Sequence, residues 1–140
     1  MPVRTANAVW NGDLPSGSGT VSVQSGALDG ARYSAASRFE EGTGTNPDEL
    51  LGAAHAGCFA MALANALATA GHAPTRVATD AQVHLSMEGG PHVAKIVLTC
   101  DAEVPGLNDA TFQEYAEATK VGCPISKSLA VEIELHATLR

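Results

Sequence analysis

Residues Asn46–Gly71, NPDELLGAAHAGCFAMALANALATAG, are the stretch that decides the fold. Asn46 can cap a helix, Pro47 suits the first helical position, and the Glu49 carboxylate can reach back to the cap N–H. Beyond Glu49 the stretch carries no formally charged residue and is rich in alanine. It therefore predicts one long helix that is apolar on every side.

A helix of this length could cross a bilayer, which needs about 20 apolar residues. Alanine gains little from lipid, and five further residues argue against insertion: Gly52, His55, Gly57, Asn65 and Thr69. We therefore interpret the stretch as a buried core helix of a soluble protein. Because one sheet covers only one side of such a helix, the remaining cover must come from the N-terminal segment, a later helix or a second copy of the chain. We expect the second copy, in an intimate homodimer.

Length and composition exclude several classes of protein. The 140 residues suit one domain, and a hydrophobic fraction of 45% rules out a disordered chain. The formal net charge of -7, with the basic residues scattered, argues against nucleic-acid binding. The N-terminal MPVRTANAVW lacks the apolar core of a signal peptide, so we expect a cytoplasmic protein.

Strands are predicted before and after the helix. Residues 1–45 form a predicted β-meander with Gly- and Ser-rich turns, whose last strand is RYSAASRFE. Residues 72–140 contain three alternating strands, each apolar on one face only. Their predicted elements are strands at about 75–87, about 92–104 and from 129 onward, a helix from about 109 to 121, and a short turn, CPISKSL. With the central helix at 46–71, this predicts a single α+β domain of antiparallel sheets over residues 1–140.

The three cysteines differ in their surroundings. An odd number in a cytosolic chain does not suggest a structural disulfide framework. Cys100 falls on the apolar face of a strand, where cysteine behaves as a small buried hydrophobe. Cys123 stands between a glycine and a proline at a helix start, where the partial positive charge of the helix favours thiolate. Simple packing of Cys123 in a loop is the alternative.

Cys58 lies inside the long helix, where burial raises the pKa of a thiol. It is therefore either a packing residue or a reactive residue that depends on a cation or strong donor from elsewhere. His55, three residues earlier on the same helix face, and Arg38 are the two candidates. Asp48 and Glu49 lie roughly 13 to 15 Å from Cys58 along a continuous helix, so neither can touch it directly in that geometry. Gly52 or Gly57 could break the helix and fold this segment back, or a long arginine could bridge the gap. Glu49 already has a capping role, which leaves Asp48 the freer carboxylate.

Two other kinds of site are compatible with these residue types. His55, Cys58 and Cys123 are possible zinc ligands. Cys58 with a histidine and an acid could also perform acyl transfer. Most of the five histidines fall at predicted surface or turn positions, and there is no CxxC motif, so we expect no metal.

Three segments together resemble the osmotically inducible OsmC and organic hydroperoxide resistance (Ohr) family. They are WNGDLPSGSGTVSVQSG at 10–26, SRFEEGTGTNPDELLGAAHAGCFAMAL at 37–63 and VGCPISKSL at 121–129. The combination of the NP-acid-x-L…H-A-x-CF block with the GCP-S block is specific, and WxGD, GxGTVS and AAHA look more like the OsmC branch. The resemblance extends over nearly the whole chain and implies an OsmC-like fold around the central helix.

The resemblance implies a thiol peroxidase of the oxidative and osmotic stress response, acting as an interwoven homodimer with active sites at the subunit interface. On the family pattern, Cys58 is the peroxidatic cysteine and Cys123 the resolving one. Arg38 matches the arginine that holds the thiolate. Asp48 occupies the position of the carboxylate that orients this arginine, where the family usually has Glu, and the neighbouring Glu49 is an alternative.

The implied chemistry needs no cofactor, because sulfur carries the redox change. Organic hydroperoxides would be preferred over hydrogen peroxide, since apolar surroundings bury the organic tail. The resemblance points to a dithiol reductant, such as a lipoyl-bearing protein. The rival interpretation is a non-catalytic, stress-induced dimer that binds a small apolar ligand at the subunit interface.

Overall fold

Ten elements follow one another in the computed structural model, which describes residues 1–140 throughout. In chain order they are β1 (Ala6–Asn11), β2 (Ser18–Val23), β3 (Ala31–Tyr33), α1 (Ala35–Phe39), α2 (Pro47–Thr69), β4 (Arg76–Ser86), β5 (His92–Glu103), α3 (Asp109–Gly122), α4 (Pro124–Ser128) and β6 (Glu132–Leu139). The chain divides into two compact units, Met1–Leu50 and Leu51–Arg140, and each contains its own three-stranded sheet. Helix α2 begins in the first unit and continues in the second.

The sheet of the first unit is an antiparallel meander in the order β1-β2-β3. The rings of Trp10 and Tyr33 lie 5.4 Å apart across it. Gly19 of β2 sits against both rings, because a Cβ there would lie 2.5 Å from Tyr33 and 2.7 Å from Trp10. The predicted meander is therefore present up to Tyr33, and its packing requires glycine at position 19.

The segment that follows Tyr33 is a helix, so the predicted strand RYSAASRFE is wrong beyond Tyr33. The Ser34 hydroxyl accepts a hydrogen bond from the Ser37 N–H at 3.1 Å, and the Ser34 N–H donates to the Ser37 hydroxyl at 2.8 Å. This reciprocal pair caps α1 and starts the helix. Arg38 consequently lies on a short helix instead of a strand.

Helix α2 starts where the sequence predicts. The Asn46 side-chain oxygen accepts from the Glu49 N–H at 2.8 Å, which is the expected N-cap bond. The Glu49 carboxylate instead accepts from the Thr45 hydroxyl at 2.7 Å, so the predicted return bond to the Asn46 N–H is wrong. The helix is continuous, and neither Gly52 nor Gly57 breaks it.

The sheet of the second unit is mixed, with the order β4-β5-β6. Strands β4 and β5 form the predicted antiparallel hairpin, with a bulge between His84 and Leu85. Strand β6, however, runs parallel to β5, so the prediction of purely antiparallel sheets is wrong here. The physical reason is the connection: α3 and α4 lie between β5 and β6 and return the chain to the same end of the sheet, which parallel pairing requires.

Helix α2 contributes one buried stripe to the core of the second unit. Its buried residues are Gly52, His55, Phe59, Leu63 and Leu67, three or four positions apart. Phe59, Leu63 and Leu67 of this stripe pack with buried β5 residues such as Ile96 and Leu98. The prediction of a helix buried on every side does not hold for the single chain, because Met61 is 76% exposed.

By length and composition alone, α2 is the one helix that could cross a membrane. Its buried stripe includes Phe59, Leu63 and Leu67, which are fully inaccessible to solvent within the core. The buried stripe is that of a core helix, which can pass the same test of length and composition.

Candidate active site

The second unit brings Cys58 and Cys123 together. Cys58 lies on α2 and is half-buried, whereas Cys123 is 1% exposed and lies between α3 and α4. Both are free thiols, and they are close enough to shift each other's pKa. The two cysteines that the sequence singles out therefore meet at one place.

Cys123 is the N-cap residue of α4, as its position between glycine and proline predicts. Its sulfur accepts from the Ser126 N–H at 3.4 Å, and the Ser126 hydroxyl lies 3.4 Å away. Burial acts to raise the pKa of the Cys123 thiol, but hydrogen bonds from the Ser126 hydroxyl and N–H, the Cys58 thiol and the Ile125 N–H outweigh it. The net result is a lowered pKa, so thiolate is favoured at Cys123.

The pKa of Cys58 moves in the opposite direction. Burial raises it, the Ile125 N–H opposes that effect, and the hydrogen bond to Cys123 together with the negative charge of its thiolate raises it further. The two thiols titrate as a pair. Within the second unit, the surroundings therefore favour ionisation of Cys123 over that of Cys58.

His55 and Ser126 form a buried polar contact next to the thiols. The His55 Nε2 lies 2.8 Å from the Ser126 hydroxyl, and the imidazole has no exposed surface. Burial lowers the pKa of His55, which keeps the ring neutral. Its Nδ1 is buried without a hydrogen-bond partner. His55 lies on α2 as the sequence predicts, and its direct partner is Ser126 rather than Cys58.

Arg38 and Asp48 are joined in the first unit. The Arg38 Nε donates to Asp48 Oδ2 at 3.1 Å, and Nη2 donates to Oδ1 at 3.3 Å. The Ser37 hydroxyl donates to the Thr45 carbonyl at 2.7 Å and so ties α1 to the segment that leads into α2. Because Glu49 accepts from Thr45, the carboxylate that orients Arg38 in this structure is that of Asp48.

The remaining candidates have structural explanations. Cys100 is 1% exposed on β5, and burial raises the pKa of its thiol, in agreement with a packing role. No group of three or more His, Cys, Asp or Glu side chains is arranged to hold a metal ion. The three residues considered as zinc ligands do not converge, because the Nε2 of His55 is directed at Ser126.

An apolar groove of about 700 Å³ opens beside the thiols, and we call it the thiol groove. It is lined by Ala53, Ala54, Gly57, Cys58, Met61, Ala62, Asn65, Pro124 and Ile125. Its volume falls in the range of small-molecule sites, and its walls are mostly apolar, as such sites usually are. The exposed face of α2 and the start of α4 thus form a site that can hold an apolar molecule against Cys58.

Sequence reasoning missed two participants, Ser126 and the Ile125 N–H. The signal for Ser126 was present in Cys-Pro-Ile-Ser, because the N–H of the third helical residue points back to the N-cap side chain. No pattern indicates its second contact, to His55, because the two residues come from distant parts of the sequence.

Comparisons with known proteins give concordant matches. Residues 40–136 match a family model described as OsmC-like protein. The chain is 44% identical over 138 residues to peroxiredoxin OsmC of Escherichia coli strain K12, covering 98% of this chain and 96% of that protein. It is similar to the crystal structure of the organic hydroperoxide resistance protein OhrB of Bacillus subtilis, with a TM-score of 0.68, 26% identity, and coverage of 97% and 98% of the two chains. An OsmC-like protein of unknown function from Vibrio cholerae shares the fold, with a TM-score of 0.78 over 99% and 100% of the two chains at 16% identity.

Proposed function

The chain belongs to the OsmC-like protein family, and from this premise we propose that it is a thiol-dependent peroxidase that reduces organic hydroperoxides. The observation that carries the proposal is that Cys58 lines the thiol groove close enough to Cys123 for the two thiols to shift each other's pKa. Peroxide reduction by a cysteine pair requires a first thiol that substrate can reach and a second thiol close to it. Half-buried Cys58 meets the first condition and buried Cys123 the second.

In the first step, the Cys58 thiolate attacks the distal oxygen of the hydroperoxide. The O–O bond breaks, the alkoxide leaves and takes up a proton to become the alcohol, and Cys58 is oxidised to a sulfenic acid. Hydrogen peroxide would react more weakly, because it cannot bury an organic tail in the groove.

In the second step, the Cys123 thiolate attacks the sulfur of the Cys58 sulfenic acid. The S–O bond breaks, hydroxide leaves as water after taking up a proton, and a Cys58–Cys123 disulfide forms. An external dithiol, such as a lipoyl-bearing protein, then reduces this disulfide by thiol–disulfide exchange and becomes a disulfide itself.

Arg38 has the role of activating Cys58. Because burial and Cys123 both raise the pKa of Cys58, the second unit does not by itself make Cys58 the nucleophile. A guanidinium beside Cys58 would lower the pKa of Cys58 and make it the thiol that ionises first, since an opposite charge favours the ionised form of a thiol. We assign this role to Arg38, with Asp48 as the residue that positions its side chain.

The functional form is a homodimer in the cytoplasm. The face of α2 that carries the thiol groove is apolar and uncovered in the single chain, with Met61 76% exposed. A second copy that covers this face would desolvate the site and complete the cover of the helix. The thiol groove then lies at the subunit interface.

Steady-state rates with several hydroperoxides test the proposal. We expect turnover of cumene hydroperoxide with a dithiol reductant, slower turnover of hydrogen peroxide, and little activity with a monothiol. Cys58→Ser should abolish turnover, and Cys100→Ala is the matched control that should retain it. A protein that binds cumene hydroperoxide without consuming it would instead be the small-ligand binder.

A further inference from the structure

The contact between His55 and Ser126 has no part in the steps proposed above. The Ser126 hydroxyl, however, also contacts the resolving thiol. Three atoms stand in series: the His55 Nε2 lies 2.8 Å from the Ser126 hydroxyl, which lies 3.4 Å from the Cys123 sulfur. All three side chains are buried, with exposures of 0%, 7% and 1% for His55, Ser126 and Cys123. Burying three polar side chains in a core costs free energy unless they form hydrogen bonds with one another.

The unpartnered Nδ1 of His55 indicates how the protons are arranged. A neutral imidazole has one N–H, and burial keeps His55 neutral. If that proton were on Nδ1, a buried donor would have no acceptor, which is rare in folded proteins. With the proton on Nε2, the ring donates to the Ser126 oxygen. The Ser126 hydroxyl proton is then directed away from the ring and towards the Cys123 sulfur.

We propose that His55 and Ser126 form a hydrogen-bond relay that holds Cys123 as a thiolate poised to attack oxidised Cys58. His55 and Ser126 are positioning residues, since neither touches the peroxide. The relay rests on the proposed function, because it assigns these residues to the disulfide-forming step. In that step the Cys123 thiolate forms the S–S bond, the S–O bond of the Cys58 sulfenic acid breaks, and the released hydroxide takes up a proton to leave as water.

Other titratable groups do not account for the ionisation of Cys123. Cys58 is the one titratable side chain among the groups that shift its pKa, and the others are Ser126 and the Ile125 N–H. The lysines of the adjoining helices are engaged or exposed: Lys120 pairs with Glu117 at 3.1 Å, and Lys127 is exposed. Ionisation of Cys123 therefore depends on hydrogen-bond donors, and the Ser126 hydroxyl lowers the pKa of Cys123 more than any other donor.

The first test isolates Cys123 in the double variant Cys58→Ser, Cys100→Ala, which retains a hydroxyl at position 58. Ultraviolet thiolate absorbance is followed against pH. Adding Ser126→Ala should raise the pKa of Cys123 by about one unit, the scale of one hydrogen bond to a charged group. Ser126→Thr keeps the hydroxyl and should restore the original pKa. Ser128→Ala is the matched control, since Ser128 is on the same short helix and its hydroxyl bonds to the Pro124 carbonyl at 2.8 Å.

His55 is tested in the same background. His55→Asn is too short to reach Ser126 and should raise the pKa of Cys123, whereas His55→Gln retains an amide donor and should restore part of the difference. Because His55 is fully buried, a variant that does not fold is replaced by Ser126→Ala, which tests the same relay. Equal Cys123 pKa values in Ser126→Ala and Ser128→Ala would overturn the proposal.

The second test follows disulfide formation in the chain with all its cysteines after one equivalent of cumene hydroperoxide. At pH values below its pKa, a thiol whose pKa rises by one unit loses tenfold in thiolate but gains about threefold in intrinsic nucleophilicity. Ser126→Ala should therefore form the disulfide about threefold more slowly at pH values below the pKa of Cys123 and about threefold faster at pH values above the raised pKa. A uniform loss at every pH would show a purely structural role and contradict the relay. Absence of disulfide in the unmodified chain would instead contradict the proposed function, while the thiolate titration would still decide on the relay.

Discussion

Arg38 and Asp48 form a two-point ion pair, with Nε–Oδ2 and Nη2–Oδ1 distances of 3.1 and 3.3 Å. The Asp48 side chain is 13% exposed and the Arg38 side chain 34%. A two-point pair fixes the plane of the guanidinium as well as its position. The pair uses one edge of Arg38 and leaves Nη1 without a hydrogen bond to the protein, so this nitrogen can donate to an anion.

Removing the guanidinium should make Cys58 harder to ionise. In a Cys123→Ser background, Arg38→Ala should raise the pKa of Cys58 by one unit or more, on the order of the effect of one nearby opposite charge. The pH dependence of Cys58 alkylation measures it. Arg32→Ala is the control, because Arg32 is an exposed arginine on β3. An unchanged pKa in Arg38→Ala would exclude Arg38 as the activating cation.

The charge of Asp48 should matter more than the length of its side chain. Asp48→Asn removes the partner of a partly buried ion pair, and we expect kcat/KM for cumene hydroperoxide to fall about tenfold, which corresponds to about 1.4 kcal/mol. Asp48→Glu should retain most of the activity. Glu49→Gln is the matched control, since Glu49 bonds to Thr45. A larger loss in Glu49→Gln than in Asp48→Asn would reverse the assignment of the orienting carboxylate.

A charge on the uncovered face of α2 should break the homodimer. Met61 lines the thiol groove and is 76% exposed in the single chain. If a second copy covers this face, Met61→Glu buries one unpaired carboxylate per subunit at about 3 kcal/mol each, so the total of about 6 kcal/mol weakens dimerisation on the order of ten-thousandfold. Light scattering after size exclusion measures it. Met87→Glu is the control, because Met87 is also an exposed methionine, at 60%, but lies outside the groove. Equal masses for both variants would place the interface elsewhere.

Buried His55 should make the protein less stable in mild acid. Burial lowers the pKa of His55 in the folded state, whereas the unfolded chain has the ordinary value of about 6.5. Above pH 6.5 both states are neutral and His55 adds no pH dependence. Below it the unfolded state binds a proton that the folded state does not, so the free energy of unfolding falls by up to about 1.4 kcal/mol per pH unit until the folded pKa is reached.

Urea unfolding at several pH values checks this expectation. His55→Gln should remove the contribution of His55 to the fall in the free energy of unfolding below pH 6.5. His84→Gln, at an exposed position of β4, should retain the loss. Identical pH dependence in the two variants would show that His55 is not the group responsible.

The sequence predicts much of this fold because many of its signals are local. The N-cap at Asn46, the alternating strands β4 and β5 and the start of α4 at Cys123 each depend on neighbouring residues, and all three are present. The resemblance to the OsmC and Ohr family is also confirmed. The helix α1 was missed because its capping pair, Ser34 and Ser37, uses serine where glutamate usually marks such a start.

The parts that could not be predicted depend on long-range contacts. Alternation in β6 shows a strand with one apolar face, but it does not reveal that the strand runs parallel to β5. In the same way, the sequence places His55 on a helix near Cys58, but it does not indicate that the partner of His55 is Ser126 of α4. The opposite pKa shifts of the two thiols follow from this three-dimensional arrangement rather than from either local motif.

Peptide mass spectrometry after one equivalent of cumene hydroperoxide tests the central claim most directly. The cysteine-pair mechanism predicts a Cys58–Cys123 disulfide-linked peptide with Cys100 still reduced, and in Cys123→Ser it predicts sulfenic or more oxidised acid on Cys58. Reduced thiols at both positions after consumption of the peroxide, or oxidation confined to Cys100, would contradict the mechanism.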